Sequence, residues 1–168
     1  GTDTTSVTVT IQDTAGNTDT STLTVTVNGV NDAPSGADNT VSVQTGQTLT
    51  INQADFGFTD PDTGDTLSEV TIDSLPTTGT LFLDTGTDNG TLDTGEEVSA
   101  SDTITVAQIT NGDLLFAAPA TATSETFDFT VNDGMVDAAA ANTLTINVTV
   151  PSSGGGGGDD EEDDEVDG

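Results

Sequence analysis

Apolar residues recur at every second position through most of the chain, with Thr and other polar residues between them. "SVTVTI" places Val7, Val9 and Ile11 on one face of an extended segment, and "LTVTV" does the same with Leu23, Val25 and Val27. The pattern returns at Val41 and Val43, Leu49 and Ile51, Val70 and Ile72, Leu81 and Leu83, Ile104 and Val106, and Leu114 and Phe116. It closes with "FDFTV" (Phe127, Phe129, Val131) and "LTINVTV" (Leu144, Ile146, Val148, Val150). Successive side chains of a strand point to opposite faces, so a period of two rich in β-branched residues predicts half-buried strands. Gly, Pro, Asn and Asp interrupt the runs, which predicts short antiparallel strands joined by turns. No convincing helical period appears, and "DAAAAN" at 137–142 is too short for a free-standing helix and reads as a loop.

Residues 33–150 supply roughly seven or eight such strands, the size and rhythm of an immunoglobulin-like β-sandwich. A chain of that length can bury a core without disulfide staples. The sequence therefore reads as all-β. Internal similarity adds a second element. "VTIQDTAGNTDTSTLTVTV" (9–27) resembles "FTVNDGMVDAAAANTLTINVTV" (129–150): strand, acidic turn, loop, long final strand, with Asp13 matching Asp133. Residues 1–29 thus read as the closing hairpin of an earlier repeat, residues 30–150 as the sandwich, "PSSGGGGG" (151–158) as a Gly/Ser-rich linker, and "DDEEDDEVDG" (159–168) as a disordered acidic tail.

Composition narrows the chemistry. The 168 residues include no Lys, Arg, His, Cys, Tyr or Trp, and 30 Asp and Glu give a net charge of −30. Most nucleophiles, general bases and transition-metal ligands are missing, so the sequence does not read as an enzyme. A uniformly negative chain repels nucleic acid and anionic lipid, which are bound through cationic side chains. No apolar run approaches the length of a membrane span, so no direct membrane insertion is expected. Carboxylates, hydroxyls, amides and carbonyls remain, an inventory suited to Ca²⁺.

Acidic residues gather where strands end. At the join "VNGVNDAPSG", Asn31 and Asp32 stand just before Pro34, and "FTDPDTGD" carries Asp60, Asp62 and Asp65. Asp60 and Asp62 lie two apart, so an extended segment would aim both to one side. Asn and Asp also suit ordinary turns, because they tolerate left-handed backbone and bond their own backbone. Both readings, metal ligation and turn chemistry, stand at this point; Asp65 reads more simply as a turn residue. The stretch 84–97, "DTGTDNGTLDTGEE", reads as a long exposed hairpin loop whose Asp84, Asp88 and Asp93 do not follow EF-hand spacing.

"VNGVNDAP", "FTDPDTGDTL", "VNDG" and a long final strand, in that order, resemble the cadherin-like repeats of large bacterial surface and secreted adhesin-type proteins. "LPTTGTLFLD…EEVSASDTITVAQITNGDLLFAAP" is similar to chondroitin-sulfate-proteoglycan-like repeats. The resemblance implies a cadherin-like sandwich that binds Ca²⁺ through Asn31 and Asp32 of the linker, the Asp60–Asp62 pair and Asp133. Gly29 stands where the family signature has Asp, which implies one or two ions at the join and not three. It further implies an extracellular or cell-surface location and neighbouring repeats of the same polypeptide as partners. The function implied is a rigid, calcium-stiffened spacer in attachment or biofilm, with a cell-surface or matrix ligand. A glycan- or protein-binding module using the 84–97 loop is the alternative.

Overall fold

The computed structural model describes residues 2–86 and 89–152. Asp88, most of the Gly/Ser-rich linker and the acidic run 159–168 lie outside the described residues. Strands β1 (Thr2–Gln12) and β2 (Thr18–Asn28) pair antiparallel, from Thr2 opposite Asn28 to Gln12 opposite Thr18, as a two-stranded sheet of their own. Their turn is built on Asp13. Its Oδ1 accepts from the amides of Ala15 (2.8 Å) and Asn17 (2.9 Å), and its Oδ2 from the Asn17 side chain (2.8 Å). The Asn17 bonds hold this carboxyl below its ordinary pKa. Val7, Val9, Ile11, Leu23, Val25 and Val27 alternate with Thr as expected, and all six are exposed.

Eight further strands follow among the described residues: β3 (Asn39–Gln44), β4 (Thr48–Thr50), β5 (Glu69–Ile72), β6 (Thr80–Leu83), β7 (Thr103–Thr105), β8 (Leu114–Ala117), β9 (Thr123–Asn132) and β10 (Asn142–Thr149). They form a five-stranded sheet, β3-β10-β9-β5-β7, and a three-stranded sheet, β4-β8-β6. One core joins the two. Val70, Ile72, Phe127, Phe129, Val131, Leu144 and Ile146 come from the first sheet, Leu81, Leu114 and Phe116 from the second, all buried in the same cluster. Phe56 meets Phe129 edge-on, ring centroids 4.9 Å apart, a favoured aromatic geometry. The described residues form the all-β sandwich that the alternation implied.

Three local features differ from the sequence reading. The pairing is not all antiparallel: β3 runs parallel to β10, Val41 opposite Ile146. A period of two reports which face is buried and carries no information about the neighbour's direction. A short α-helix, α1 (Val106–Asn111), follows β7, so Val106 belongs to a helix and not to a strand. Its signal is a capping box: the Thr105 hydroxyl accepts from the Gln108 amide (3.3 Å) and the Gln108 side chain accepts from the Thr105 amide (2.9 Å). Gly112, at φ +88°, closes it in left-handed backbone. Finally, the 84–97 loop is not exposed throughout, because Asp84 is only 3% accessible.

A 3-10 turn, Gln53–Phe56, ends at Gly57 with φ +58°. A Cβ on Gly57 would stand 2.6 Å from the Cβ of Ala37 and 3.1 Å from its amide nitrogen. The entering chain therefore runs against this turn with no room for a side chain. Gly46 is also left-handed, at φ +70°, but nothing lies within 4 Å of its missing Cβ. Gly46→Ala should cost about 1 kcal/mol from backbone strain alone, and Gly57→Ala at least about 2 kcal/mol, since it adds overpacking. Urea midpoints of the two variants measure the difference; equal costs would refute the close approach.

Glu125 is buried at the start of β9, only 4% accessible. Its carboxylate accepts from the Thr78 hydroxyl (2.6 Å), the Thr78 amide (2.8 Å) and the Thr123 hydroxyl (3.0 Å). The Thr78 hydroxyl, and next its amide, hold the group below its ordinary pKa of 4.5. A depressed folded-state pKa contributes stability that is present above the unfolded value and lost as pH falls through the folded one. Glu125→Gln should therefore be most destabilising near pH 7, and the gap to the parent should close well below pH 4.5. Urea titrations at neutral and acid pH test this; a gap independent of pH would refute it.

Candidate metal centre

One antiparallel bridge puts the join beside the acidic turn. Ser35 and Thr59 exchange both backbone hydrogen bonds at 2.8 Å, and the Ala37 amide donates to the Phe56 carbonyl at 3.1 Å. Antiparallel register then fixes what lies further out. Three residues before Ser35 is Asp32, and three after Thr59 is Asp62, so the two fall opposite each other. The Asp32 amide indeed donates to Asp62 Oδ2 at 2.7 Å. Pro34, buried between them, ends the exposed join.

Asp133 arrives from the other side, on the turn between β9 and β10. Its Oδ1 accepts from the amides of Met135 and Val136, each 2.7 Å, and so builds the turn. Its Oδ2 accepts from the Asn31 side chain at 2.9 Å, across 102 residues of sequence. The same Asn31 amide donates to the Asp32 carbonyl at 2.9 Å. The Asn31 bond, followed by the Val136 amide, holds the Asp133 carboxyl below its ordinary pKa. Turn chemistry and long-range tethering thus use different oxygens of one carboxylate.

Asp60, Asp62 and Asp65 form the tightest acidic group, each offering one carboxylate oxygen within 4.8 Å of the others. Asp60 Oδ1 accepts from the Asp62 amide at 2.7 Å. Asp60 Oδ2 is buried with no hydrogen-bond partner. The geometry behind the cluster is not the extended one expected. Residues 61–64 bend, and Gly64 at φ +103° turns the chain so that Asp65 comes back toward Asp62, its amide 3.4 Å from the Asp62 carbonyl. Asp65 was read from sequence as a turn residue, and the turn is what brings it to the cluster. The usable signal was the Gly before it.

All five residues singled out from sequence therefore meet at one end of the sandwich. Asn31 reaches Asp133, and Asp32 reaches Asp62 through its backbone. The carboxylates of Asp32 and Asp133 stand outside the 4.8 Å group that Asp60, Asp62 and Asp65 make. A hard cation is the ligand class these donors suit: oxygen only, several carboxylates, and nearby carbonyls. The orphaned Asp60 Oδ2 is the observation that such an ion would answer, because buried polar atoms otherwise find partners.

No curated protein sequence matches the chain. A family model described as cadherin-like matches residues 34–150. That span takes in both sheets, the Asp60–Asp65 cluster and Asp133, while Asn31 and Asp32 fall just before it. By a match over more than half its length, on a fold of the same kind, the chain belongs to the cadherin-like family.

Proposed function

We propose that this chain is a calcium-stiffened structural repeat of a bacterial extracellular adhesin-like protein, a rigid spacer in surface attachment or biofilm. The observation that carries the reading is the buried, unpartnered Asp60 Oδ2 inside a three-carboxylate cluster, hydrogen-bonded to the join through Asp62 and Asp32. Two full carboxylate charges 4.8 Å apart repel by on the order of 3 kcal/mol at an effective dielectric near 20. Solvent reduces that figure, since Asp65 is exposed. No cationic side chain exists anywhere in the sequence to offset the rest. Cadherin-like domains generally bind Ca²⁺, and Ca²⁺ accepts six to eight oxygens in flexible geometry, where Mg²⁺ requires a tighter octahedron.

Asp60, Asp62 and Asp65 would supply the carboxylates, with Asn31, Asp32 and Asp133 bringing the join and the β9–β10 turn to the same ion. Residues 1–29 then act as the end of a preceding repeat, and the ion fixes the angle at which it meets the sandwich. Neighbouring repeats are the primary partners, and a cell-surface or matrix ligand the distal one. Extracellular calcium modules bind at roughly 10⁻⁴ to 10⁻³ M, so such a site fills outside the cell. Among the described residues no helix is long and apolar enough to cross a membrane. The reading is non-enzymatic. Recognition of a glycan by the 84–97 loop is the weaker alternative: the six aromatic residues are all Phe, five of them buried and Phe58 partly so, which leaves no exposed aromatic platform.

Calcium at ten times its dissociation constant should stabilise the sandwich by about 1.4 kcal/mol, a rise of about 5 °C in Tm over chelator. The Asp60→Asn, Asp62→Asn double variant should lose the whole increment. Scanning calorimetry of the full chain decides; a parent midpoint indifferent to calcium would sink the proposal.

Asn31→Ala with Asp32→Ala should leave the chelator midpoint within about 0.5 kcal/mol, since neither residue is in the core. The same variant should bind calcium more weakly and free the hairpin to tumble independently, read from amide ¹⁵N relaxation of residues 2–28. Identical relaxation with calcium and with chelator, in the parent protein, would refute the stiffening role.

A further inference from the structure

An Asn followed by Gly can close on itself, the Gly backbone nitrogen attacking the Asn carboxamide to form a five-membered imide. Gly favours this because it has no Cβ to block the approach or restrict the backbone. The chain holds three such pairs, Asn28–Gly29, Asn89–Gly90 and Asn111–Gly112. Closure needs an untethered carboxamide, a Gly amide that can give up its proton, and a backbone free to rotate between them. The fold distributes these unequally.

Asn89 is held at both ends of its side chain. Its Oδ1 accepts from the Thr91 amide at 2.8 Å and the Thr91 hydroxyl at 2.6 Å, and its Nδ2 donates to Asp93 Oδ2 at 3.2 Å. The Gly90 amide donates to Asp84 Oδ2. Asn111 is the last residue of α1, and the Gly112 amide donates back to the Ile109 carbonyl at 3.1 Å, so closure there would undo the helix end. Nothing comparable holds Asn28 among the described residues. It ends β2, opposite Thr2 in the outermost pair of the hairpin ladder, and both Asn28 and Gly29 are exposed. The Gly29 amide makes no hydrogen bond to another described residue. Ladder ends fray at little cost, and no hairpin residue belongs to the core cluster that would oppose it.

We propose that Asn28 is a site of spontaneous deamidation, with water as co-reactant, which alters the entry to the join covalently as the protein ages. The Gly29 nitrogen attacks Asn28 Cγ while its proton passes to hydroxide. The N–Cγ bond forms, the Cγ–Nδ2 bond breaks, and Nδ2 leaves as ammonia. Water then opens the imide at either carbonyl, giving aspartate or isoaspartate. Either product adds a carboxylate three residues before Asn31, in a chain with no cationic side chain to offset it. Isoaspartate also routes the main chain through the side-chain carbon, inserting a methylene between the hairpin and the join.

The test ages the full chain at mildly alkaline pH in ¹⁸O-water with chelator present, so its result is independent of the calcium reading. Trypsin has no site in a chain without Lys or Arg, so electron-transfer fragmentation of the intact chain locates the incorporated ¹⁸O. Asn28 should convert at least about tenfold faster than Asn89 or Asn111, the factor expected when one or two hydrogen bonds must first break. Both aspartate and isoaspartate should form at that position. In guanidinium chloride the three pairs should react at similar rates, since the fold no longer separates them. Gly29→Ala, an exposed position outside the core, should slow conversion of Asn28 and leave the other two unchanged. Earlier conversion at Asn89 or Asn111, or a ranking that persists in denaturant, would overturn the assignment. So would aspartate formed without isoaspartate, or a rate at Asn28 indifferent to Gly29→Ala.

Discussion

With 30 carboxylates and no cationic side chain, this protein can offset its acids only with N–H and O–H donors, water or a bound cation. Much of the structure is arranged around that constraint. Asp13, Asp38, Asp128 and Glu125 each accept from two or more amides or hydroxyls. The Thr that fills outward strand positions is therefore more than a β-former, because its hydroxyls serve as donors, Thr130 to Asp73 and Thr143 to Asp128, as the loop residue Thr78 does to Glu125. Against that background, two buried carboxylate oxygens without partners, on Asp60 and Asp84, stand out as exceptions. The first sits where other acids converge.

The alternation of apolar and polar residues placed most of the strands and, between residues 41 and 148, most of the core. Phe127, Phe129 and Val131, and Leu144, Ile146 and Val148, are buried as their parity requires. What the pattern could not carry was anything set by neighbours. Parallel pairing of β3 with β10 depends on where the connecting chain re-enters the sheet. Phe82 and Leu115 have the parity of the outer face, yet they pair across β6 and β8 and are buried as well. Helix α1 was legible in Thr105, Gln108 and Gly112, but a six-residue helix is outweighed by the strand pattern on either side.

The site divides in the same way. Asn31, Asp32, Asp60, Asp62 and Asp133 could be grouped from motif order, and the structure gathers them at one end of the fold. The part Asp65 plays in that cluster and, away from it, the burial of Asp84 were less legible, for opposite reasons. Asp65 joins the cluster through a glycine turn that reverses strand parity. Asp84 lies in a loop whose composition reads as exposed, and its burial follows from the backbone bridge between Leu83 and Glu96. Backbone pairing between segments distant in sequence decides both, and local composition does not report it.

The two kinds of cohesion in the molecule act on different parts of it. Fully burying one Phe or Leu contributes about 1.5–3 kcal/mol, and the shared core contains eighteen buried residues. Conformational entropy offsets most of that sum, but a single ion worth about 1.4 kcal/mol still cannot be what makes the sandwich fold. The join is another matter. Asn31 and Asp32 contribute nothing to the core and meet the sandwich through a few hydrogen bonds partly open to water, where each is worth about 1 kcal/mol or less. On that scale one ion is comparable to everything else holding the join. A cation bound there would change the geometry between units far more than the stability within one, which is the property a stiffened spacer needs.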